Sequence, residues 1–561
     1  MISAREPPAR CGVTSVADLI VRHLHRAGVG FLFGVPGGGG SLDLIDAAGR
    51  AGLTFVLTST ETAAALAAIA QSEVSRHPGA CLTTLGPGVT SVVNGVACAW
   101  LDRAPLLVFS DSHAASGGVY QHQRVDHRAL LAPVTKWSAT LTPENADAVM
   151  REAIDRAMTE PRGPVHIECP ADLLSAPDVA RDGARTMQAS DIVGDRSAES
   201  LSLLDPGALA PILSGARRPL LLVGLGARRP LDAEAITALC ARRGVPAMVT
   251  YKAKGVVPDL DPHFAGVFTN GGLERPLIEE ADLLLGIGLD PVELLPRPWT
   301  HEQRIVHIGP CAVDDRHIPF EAQLVTDLPS GMQLVGELLP PSAWDLEAVH
   351  RTVVAQRQRL CPPSPHLTAH RVVRIAADAA ASQARVTVDA GAHMFPATML
   401  WPVAEPNGML ISNGLSTMGF ALPAAIGAAL ADREGAPGAI HDHDAPVVAL
   451  TGDGGLLMCA GELLTAVRER LRVIVIVFAD ASLSLIEIKQ RQRHHPPSGV
   501  ALGAIDWCAL AASFGAAAHR AETEPELEHA LARALAHRGP TLIEARIDPA
   551  TYAETLHTIR G

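Results

Sequence analysis

The chain predicts an α/β protein with parallel, helix-covered sheets, and two observations carry this. Apolar strands and amphipathic helices alternate along most of its 561 residues, which is the order of a sheet packed under crossover helices. The most continuous apolar strands also run straight into glycine-rich turns. Val447-Val448-Ala449-Leu450 enters Thr451-Gly452-Asp453-Gly454-Gly455, and one helix later Val473–Phe478 ends on Ala479-Asp480-Ala481-Ser482.

The length exceeds one hydrophobic core and implies about three or four domains. Residues 12–176 read as the first: an amphipathic helix at Val16–Ala27, then strands near Gly30–Phe33, Thr54–Thr58, Ala80–Thr84, Pro105–Phe109 and Val165–Glu168 with helices between. Pro177–Ser200 is polar without periodicity, so 177–204 reads as a linker. A second α/β unit spans 205–341, with strands near Leu220–Val223, Ala247–Thr250, Leu283–Ile287 and Ile305–Ile308. Residues 342–365, a helical stretch closed by Cys361-Pro362-Pro363-Ser364-Pro365, read as a second linker. A third α/β unit covers 366–549, with 550–561 as a tail. The first and third units share a pattern, since Leu85-Gly86-Pro87-Gly88, a helix and the Pro105–Asp111 strand parallel the segment from Thr451 to Asp480.

Composition removes several function classes. A net charge of −14 without any Lys/Arg cluster gives no electrostatic footprint for nucleic acid or an anionic membrane. The nine cysteines are scattered without metal-type or CxxC spacing, which fits reduced thiols in a cytoplasmic protein. Met418–Ala431, the longest nearly unbroken apolar stretch, contains Pro423 and is too short to span a bilayer. The first thirty residues lack an apolar signal core.

Chemistry concentrates where two strands end on carboxylates. Asp453 and Asp480 fall at one edge of a sheet, where glycines let the backbone approach a phosphate and the carboxylates, with a nearby carbonyl, offer the hard oxygens Mg²⁺ takes. This reads as a Mg²⁺-diphosphate site.

A strand, Gly-Asp-Gly, a helix of this length and a polar pair closing the next strand resembles the thiamine diphosphate (ThDP) motif. In that family the pair is Asn-Asn and the second Asn binds Mg²⁺; here it is Ala479-Asp480, which keeps the ligand position and adds a charge. Gly34-Val35-Pro36-Gly37-Gly38 resembles the G-x-P-G-G turn of ThDP enzymes of the acetolactate synthase and pyruvate decarboxylase superfamily. Leu85-Gly86-Pro87-Gly88-Val89-Thr90-Ser91 is similar to its s-G-P-G-x-t-N segment, Asp102–Leu106 to its D-x-x-P-[LV] step, and Gly163–Asp172 to its G-P-V-x-[IL]-x-x-P-x-D close. Asn413–Ala425 resembles G-x-G-x-M-G-x-x-L-P-A-A, and Asp389-Ala390-Gly391-Ala392-His393 stands where acetolactate synthases carry G-Q-H-Q.

The resemblance covers nearly the whole chain. It implies three Rossmann-like domains: pyrimidine-binding, central and diphosphate-binding. Glu61 then occupies the catalytic glutamate position, touching N1′ of the aminopyrimidine and favouring the imino form that takes the proton from thiazolium C2. Physically, a lone carboxylate opening an Ala-rich helix can sit in apolar surroundings, where a hydrogen bond to a ring nitrogen gains strength. Met418 is the expected wedge between the cofactor rings, and the Ser416 carbonyl the acceptor for the 4′-amine. Pro36, Gly37, Gly86, Gly88, Gly391, His393, Gly452, Gly454, Gly455 and Leu485 are expected to bind cofactor. Mg²⁺ is expected on Asp453, Asp480 and the carbonyl of Ser482.

For substrate, Tyr120-Gln121-His122-Gln123 falls at the place of F-Q-E and Thr135-Lys136-Trp137 at that of T-K-x. Gln121 is the expected polar contact, with His113 and His122 as proton relays. Leu483–Gln490 is expected beyond the metal, and His494–Pro497 as a mobile cover. In the middle unit Gly224-Leu225-Gly226 follows a strand without the rest of a dinucleotide fingerprint, so a structural turn is expected and FAD or a nucleotide there stays open. The substrate determinants of true acetolactate synthases are not evident in Gly288–Glu293. The expected activity is a carboligase on a 2-oxo acid such as pyruvate with a carbonyl acceptor, or a non-ligating decarboxylase or C–C lyase. The resemblance further implies a homodimer or tetramer with the site at the subunit interface, Glu61 serving the neighbour.

Overall fold

The apolar runs become strands of three parallel sheets in the computed structural model, which describes residues 15–114, 121–176, 206–314, 316–380, 382, 384–436 and 445–561. The chain forms two compact units, residues 1–197 and 198–561. The first holds β1 (Phe31–Gly34), β2 (Thr54–Leu57), β3 (Gly79–Thr83), β4 (Leu106–Ser112), β5 (Trp137–Thr140) and β6 (Val165–Pro170), in the order β2-β1-β3-β4-β6-β5.

The second unit holds two sheets. One comprises β7 (Pro219–Val223), β8 (Ala247–Val249), β9 (Phe264–Val267), β10 (Leu283–Ile287), β11 (Arg304–Gly309) and β12 (Ala322–Val325), ordered β12-β11-β10-β7-β8-β9. The other comprises β13 (Arg385–Val388), β14 (Met409–Ile411), β15 (Val447–Gly452), β16 (Val473–Ala479), β17 (Ala517–Ala521) and β18 (Thr541–Arg546), ordered β14-β13-β15-β16-β18-β17. Central strands such as β4 and β10 are buried along their whole length, as expected when helices cover both faces of a parallel sheet.

Each sheet has a point where its strand order reverses from the first strand outward, between β1 and β3, between β7 and β10, and between β13 and β15. Ligands of open parallel sheets bind beyond the carboxyl ends at such a switch point. The glycine turns singled out in the sequence lie there: 34–40 with 84–88, 224–226 with Gly288, and 389–393 with 452–455.

Small residues bring the covering helices close. In the helix Glu61–Ser75 nearly every residue is buried, and a Cβ added at Gly95, on the helix Pro87–Leu101, would come within 2.4 Å of Ala65 Cβ. In the second unit Arg385, at the start of β13, donates from Nη2 to Asp432 Oδ1 at 2.9 Å and from Nε to Oδ2 at 3.1 Å. This buried pair pins the helix Ala421–Arg433 beneath the sheet.

The helical stretch expected within 342–365 is the helix Leu346–Arg359. Two differences from the sequence reading stand out. β5, β9 and β12, each an edge strand, and β13, β14, β17 and β18 of the last sheet are strands with no place in that reading. Residues 550–561 are no loose tail, since they form the helix Tyr552–Arg560 with Tyr552, Leu556 and Ile559 buried. The linker Pro177–Ser200 lies outside the described residues. Among the described residues no helix is long and apolar enough to cross a membrane.

Candidate active site

In the first unit, Thr60 caps the helix that Glu61 opens, accepting from Ala63 N at 3.1 Å. The Glu61 side chain stays half-buried, and a negative charge here is favoured by the helix dipole. Gly86 precedes the helix Pro87–Leu101 with φ 61 and ψ −101, a conformation open to glycine. A Cβ on Gly88 would stand 3.2 Å from Glu61 Oε1 and 2.4 Å from Thr83 Oγ1, so the Gly86–Gly88 turn floors the Glu61 carboxylate. On the neighbouring turn Gly37 N donates to Ser41 Oγ at 3.0 Å. A Cβ at Gly37 would strike Thr84 Oγ1 at 2.3 Å, and Pro36 leads into this turn. Burial pushes the carboxyl of Asp111, at the end of β4, above its ordinary value.

The substrate candidates of this unit are less gathered. His113 is half-buried just past β4, with Nε2 buried and without a hydrogen-bond partner among the described residues. Gln121 Oε1 accepts from Arg124 Nη1 at 3.3 Å, His122 is exposed in a turn, and Tyr120 lies outside the described residues. Lys136 is turned away to cap a helix, donating to the carbonyls of Arg156 at 2.5 Å and Thr159 at 2.6 Å. Trp137 is fully buried in β5.

In the second unit the register from Val447↔Val473 to Gly452↔Phe478 ends just short of both carboxylates. Asp453 Oδ2 accepts from Asp480 N at 3.2 Å and from Ala481 N at 2.6 Å, while Oδ1 accepts from Gly454 N at 2.8 Å. Asp480 Oδ1 accepts from Ser482 N at 3.1 Å, and Oδ2 from Ser484 Oγ at 2.6 Å. Burial, reinforced by the charge of Asp453, pushes the Asp480 carboxyl up to about 6, and burial raises Asp453 too. Two mutually repelling, half-desolvated carboxylates in one pocket are the donor set that a hard divalent cation relieves. Ala481, directly after Asp480, takes a left-handed φ of 57, a strained state for a residue with a Cβ.

Around them lies a cavity of about 330 Å³ whose walls include Gly391, His393, Ser416, Met418, Gly452–Gly455, Asp480 and Leu485. Cβ atoms at Gly454 and Gly455 would strike Leu483 Cδ2 at 2.6 Å and Asp389 Oδ2 at 2.4 Å, so the turn admits close approach only because it lacks side chains. His393 stacks on Phe478 with centroids 5.1 Å apart. Burial drives its imidazole down to about 3, keeping it neutral, and its Nε2 is buried without a protein partner. Met418 reaches over the turn, its Cε 3.2 Å from the Cβ position of Gly454. Ser416 is also left-handed, at φ 52. The glycine cradle, the unpartnered His393 nitrogen and the acid pair fit a Mg²⁺-diphosphate group.

Several residues of this site escaped the sequence reading. Asp389, directly after β13, is fully buried and accepts from Thr451 Oγ1 at 2.8 Å, Gly419 N at 3.1 Å, Phe420 N at 3.2 Å and Ala390 N at 2.9 Å. It thus ties the Gly-Asp-Gly-Gly strand to the Met418 loop. Its signal was present, as a carboxylate closing a strand beside the two already noticed. Tyr552 and Arg560, both from the helix taken for a tail, also line the cavity, and Lys489 lines it within the Leu483–Gln490 stretch expected beyond the metal.

At the middle switch point the glycine turn faces inward. Leu225 N donates to Glu293 Oε2 at 2.7 Å, Thr250 Oγ1 to Glu293 Oε1 at 2.6 Å, and Gly226 N to Gly288 O at 2.9 Å. Burial pushes the Glu293 carboxyl up to about 7.

Parallel three-sheet architecture and a switch-point cavity of this make define a cofactor-dependent α/β enzyme scaffold, and sequence comparison gives its family. Residues 14–130, 207–334 and 389–545 match the N-terminal TPP binding domain, the central domain and the C-terminal TPP binding domain of thiamine pyrophosphate enzymes. The chain is 32% identical over 545 residues to a probable 2-ketoarginine decarboxylase of Pseudomonas aeruginosa, covering 95% of this chain and 94% of that one. It is 28% identical over 555 residues to an acetolactate synthase of Bacillus subtilis (95% and 93%). With a catabolic acetolactate synthase of Raoultella terrigena the identity is 29% over 553 residues (95% of each). The chain belongs to the acetolactate synthase-like family of ThDP-dependent enzymes.

Proposed function

We propose that the protein is a ThDP- and Mg²⁺-dependent carboligase that decarboxylates a 2-oxo acid such as pyruvate and joins the remaining fragment to a second carbonyl. The observation that carries this reading is the cavity in which Asp453, Asp480, the Gly452–Gly455 turn and Met418 converge. Bound ThDP would supply a nucleophilic carbon and an electron sink for decarboxylation of the 2-oxo acid.

The residues have the following tasks. Asp453, Asp480 and the Ser482 carbonyl hold the cation, and the backbone of the glycine turns, with Gly391 and His393, receives the diphosphate. Met418 and Leu485 support the rings, and the Ser416 carbonyl holds the 4′-amine. Glu61 binds the pyrimidine nitrogen and moves the activating proton. Pro36, Gly37, Gly86 and Gly88 shape the pocket on that side, where Gln121, His113 and His122 are assigned to substrate. The active form is a homodimer or tetramer of cytoplasmic chains with reduced thiols, and Glu61 serves the partner's cofactor.

The identity to a probable 2-ketoarginine decarboxylase supports a second reading, decarboxylation without ligation. Incubation with Mg²⁺, ThDP and a panel of 2-oxo acids, with and without acceptor aldehydes or ketones, separates the two. A product heavier than the decarboxylated donor establishes ligation, and CO₂ release with only the aldehyde as product refutes it. Unchanged turnover in Glu61→Gln with cofactor bound refutes the role of Glu61.

A further inference from the structure

Beneath Glu61 lies a buried polar array that the proposed chemistry does not use. Gly86 N donates to His127 Nε2 at 3.1 Å, and Nδ1 on the other side of the ring lies 3.3 Å from Glu168 Oε1. The second oxygen of Glu168 accepts from Thr140 Oγ1 at 2.8 Å. Burial opposes ionisation of Glu168, but the close approach of the His127 ring and the bond from Thr140 outweigh it and its carboxyl titrates below the ordinary value. His127 is 4% exposed. A backbone N–H can be received only by an unprotonated ring nitrogen, so the lone pair is on Nε2 and the ring proton on Nδ1, facing the carboxylate.

What this ring holds is the floor of the catalytic carboxylate. Gly86 is locked on its far side as well, since a Cβ there would meet Gln123 O at 2.5 Å. Two residues on, the Cβ position of Gly88 is 3.2 Å from Glu61 Oε1. His127 also begins the helix His127–Leu131, which Asp126 caps by accepting from Ala129 N at 2.9 Å. One imidazole therefore joins the Glu61 floor to the segment that carries Gln121 and His122.

We propose that His127, held in its Nδ1–H tautomer by Glu168, is a positioning residue that fixes the Gly86–Gly88 turn and with it the orientation of Glu61. The inference rests on the reading of Glu61 given above. Its expression is the rate at which the C2 hydrogen of bound ThDP exchanges with solvent, because that step depends on Glu61 and precedes any substrate chemistry.

The test uses the full chain with saturating Mg²⁺ and ThDP, following C2 exchange by acid quench and NMR beside kcat, KM and the thermal midpoint. Glutamine at 127 places its terminal oxygen near the Nε2 position and can still receive Gly86 N, whereas asparagine reaches only the Nδ1 position. Exchange is expected to slow about tenfold or more in His127→Asn and to stay within about threefold of wild type in His127→Gln, at similar thermal midpoints. Glu168→Leu slows exchange too, and combined with His127→Asn it adds little, as for two members of one unit. Glu61→Gln is the reference. If it leaves exchange unchanged, the reading of Glu61 falls and the inference with it. If Glu61→Gln stops exchange while His127→Asn runs at the wild-type rate, the positioning role alone falls. Equal slowing in both His127 variants with a matching loss of thermal midpoint also overturns it, as the mark of a purely structural histidine.

Discussion

Replacing Asp389 by asparagine is expected to raise the stability of the second unit while loosening one amide of its cofactor loop. The carboxylate receives two donors on each oxygen, Ala390 N and Phe420 N on Oδ1, Gly419 N and Thr451 Oγ1 on Oδ2. Asparagine keeps one oxygen and must turn its NH₂ toward one of these pairs. Only the pair containing Thr451 can adapt, because that hydroxyl can donate instead to Gly452 O, 3.1 Å away, and receive the new N–H. Gly419 N, beside Met418, is then the single orphaned donor, at a cost of about 1–3 kcal/mol. Its exchange with deuterium should quicken about 10- to 100-fold, while Phe420 N keeps its protection.

Overall stability moves the other way. Burial pushes the Asp389 carboxyl from 3.8 up to about 6, so the stability it contributes is present below 3.8 and is lost as pH rises through about 6. That difference amounts to about 3 kcal/mol at most, and an uncharged asparagine does not lose it. Asp389→Asn should match wild type in urea unfolding near about pH 5 and exceed it near about pH 7.5, with residue-resolved hydrogen exchange as the local assay. Lower stability than wild type at the higher pH, or loss of protection at Phe420 rather than Gly419, refutes the reasoning.

Asp480→Asn should weaken Mg²⁺ binding at neutral pH and flatten its pH dependence. In wild type, protonation below about 6 removes a ligand and weakens binding about tenfold per further pH unit, as calorimetric titrations at several pH values will show. Arg385→Met leaves Asp432 buried without its partner and should cost about 3–5 kcal/mol of unfolding free energy, largely recovered by adding Asp432→Asn. Ile559→Ala, at a fully buried site on the last helix, should lower stability by about 2–4 kcal/mol in the same urea assay, an effect a loose tail would not produce.

Legibility in the sequence followed burial only where the strand is also apolar throughout, since the buried inner strands β13 (Arg385–Val388) and β18 (Thr541–Arg546) carry polar residues and went unread. Central strands such as β10 and β16 are apolar throughout because helices cover both faces, and they could be read without a partner. Edge strands such as β5 (Trp137–Thr140) and β12 (Ala322–Val325) are four residues of mixed character, made strands only by the neighbour they pair with. The last helix was missed for a similar reason, since its few apolar positions gain meaning only against the rest of the unit. At the site, glycine turns and their carboxylates were legible because each belongs to a short contiguous pattern. Asp389 and His127 act on backbone donors far along the chain, at Gly419 and Gly86, and nothing local to either residue announces that partner.

The ladder joining β15 to β16 is complete before either acid side chain begins, its last pair being Gly452↔Phe478. Adjacent parallel strands lie about 4.8 Å apart, so the spacing of Asp453 and Asp480 is inherited from main-chain pairing and owes little to the identity of the side chains. Position 480 is in effect a socket, in which a ligand can be exchanged by a single codon without shifting register or repacking a core residue. A scaffold of this kind lets charge at the metal be tuned separately from folding, and descendants of one fold can diverge in ion preference before they diverge in shape.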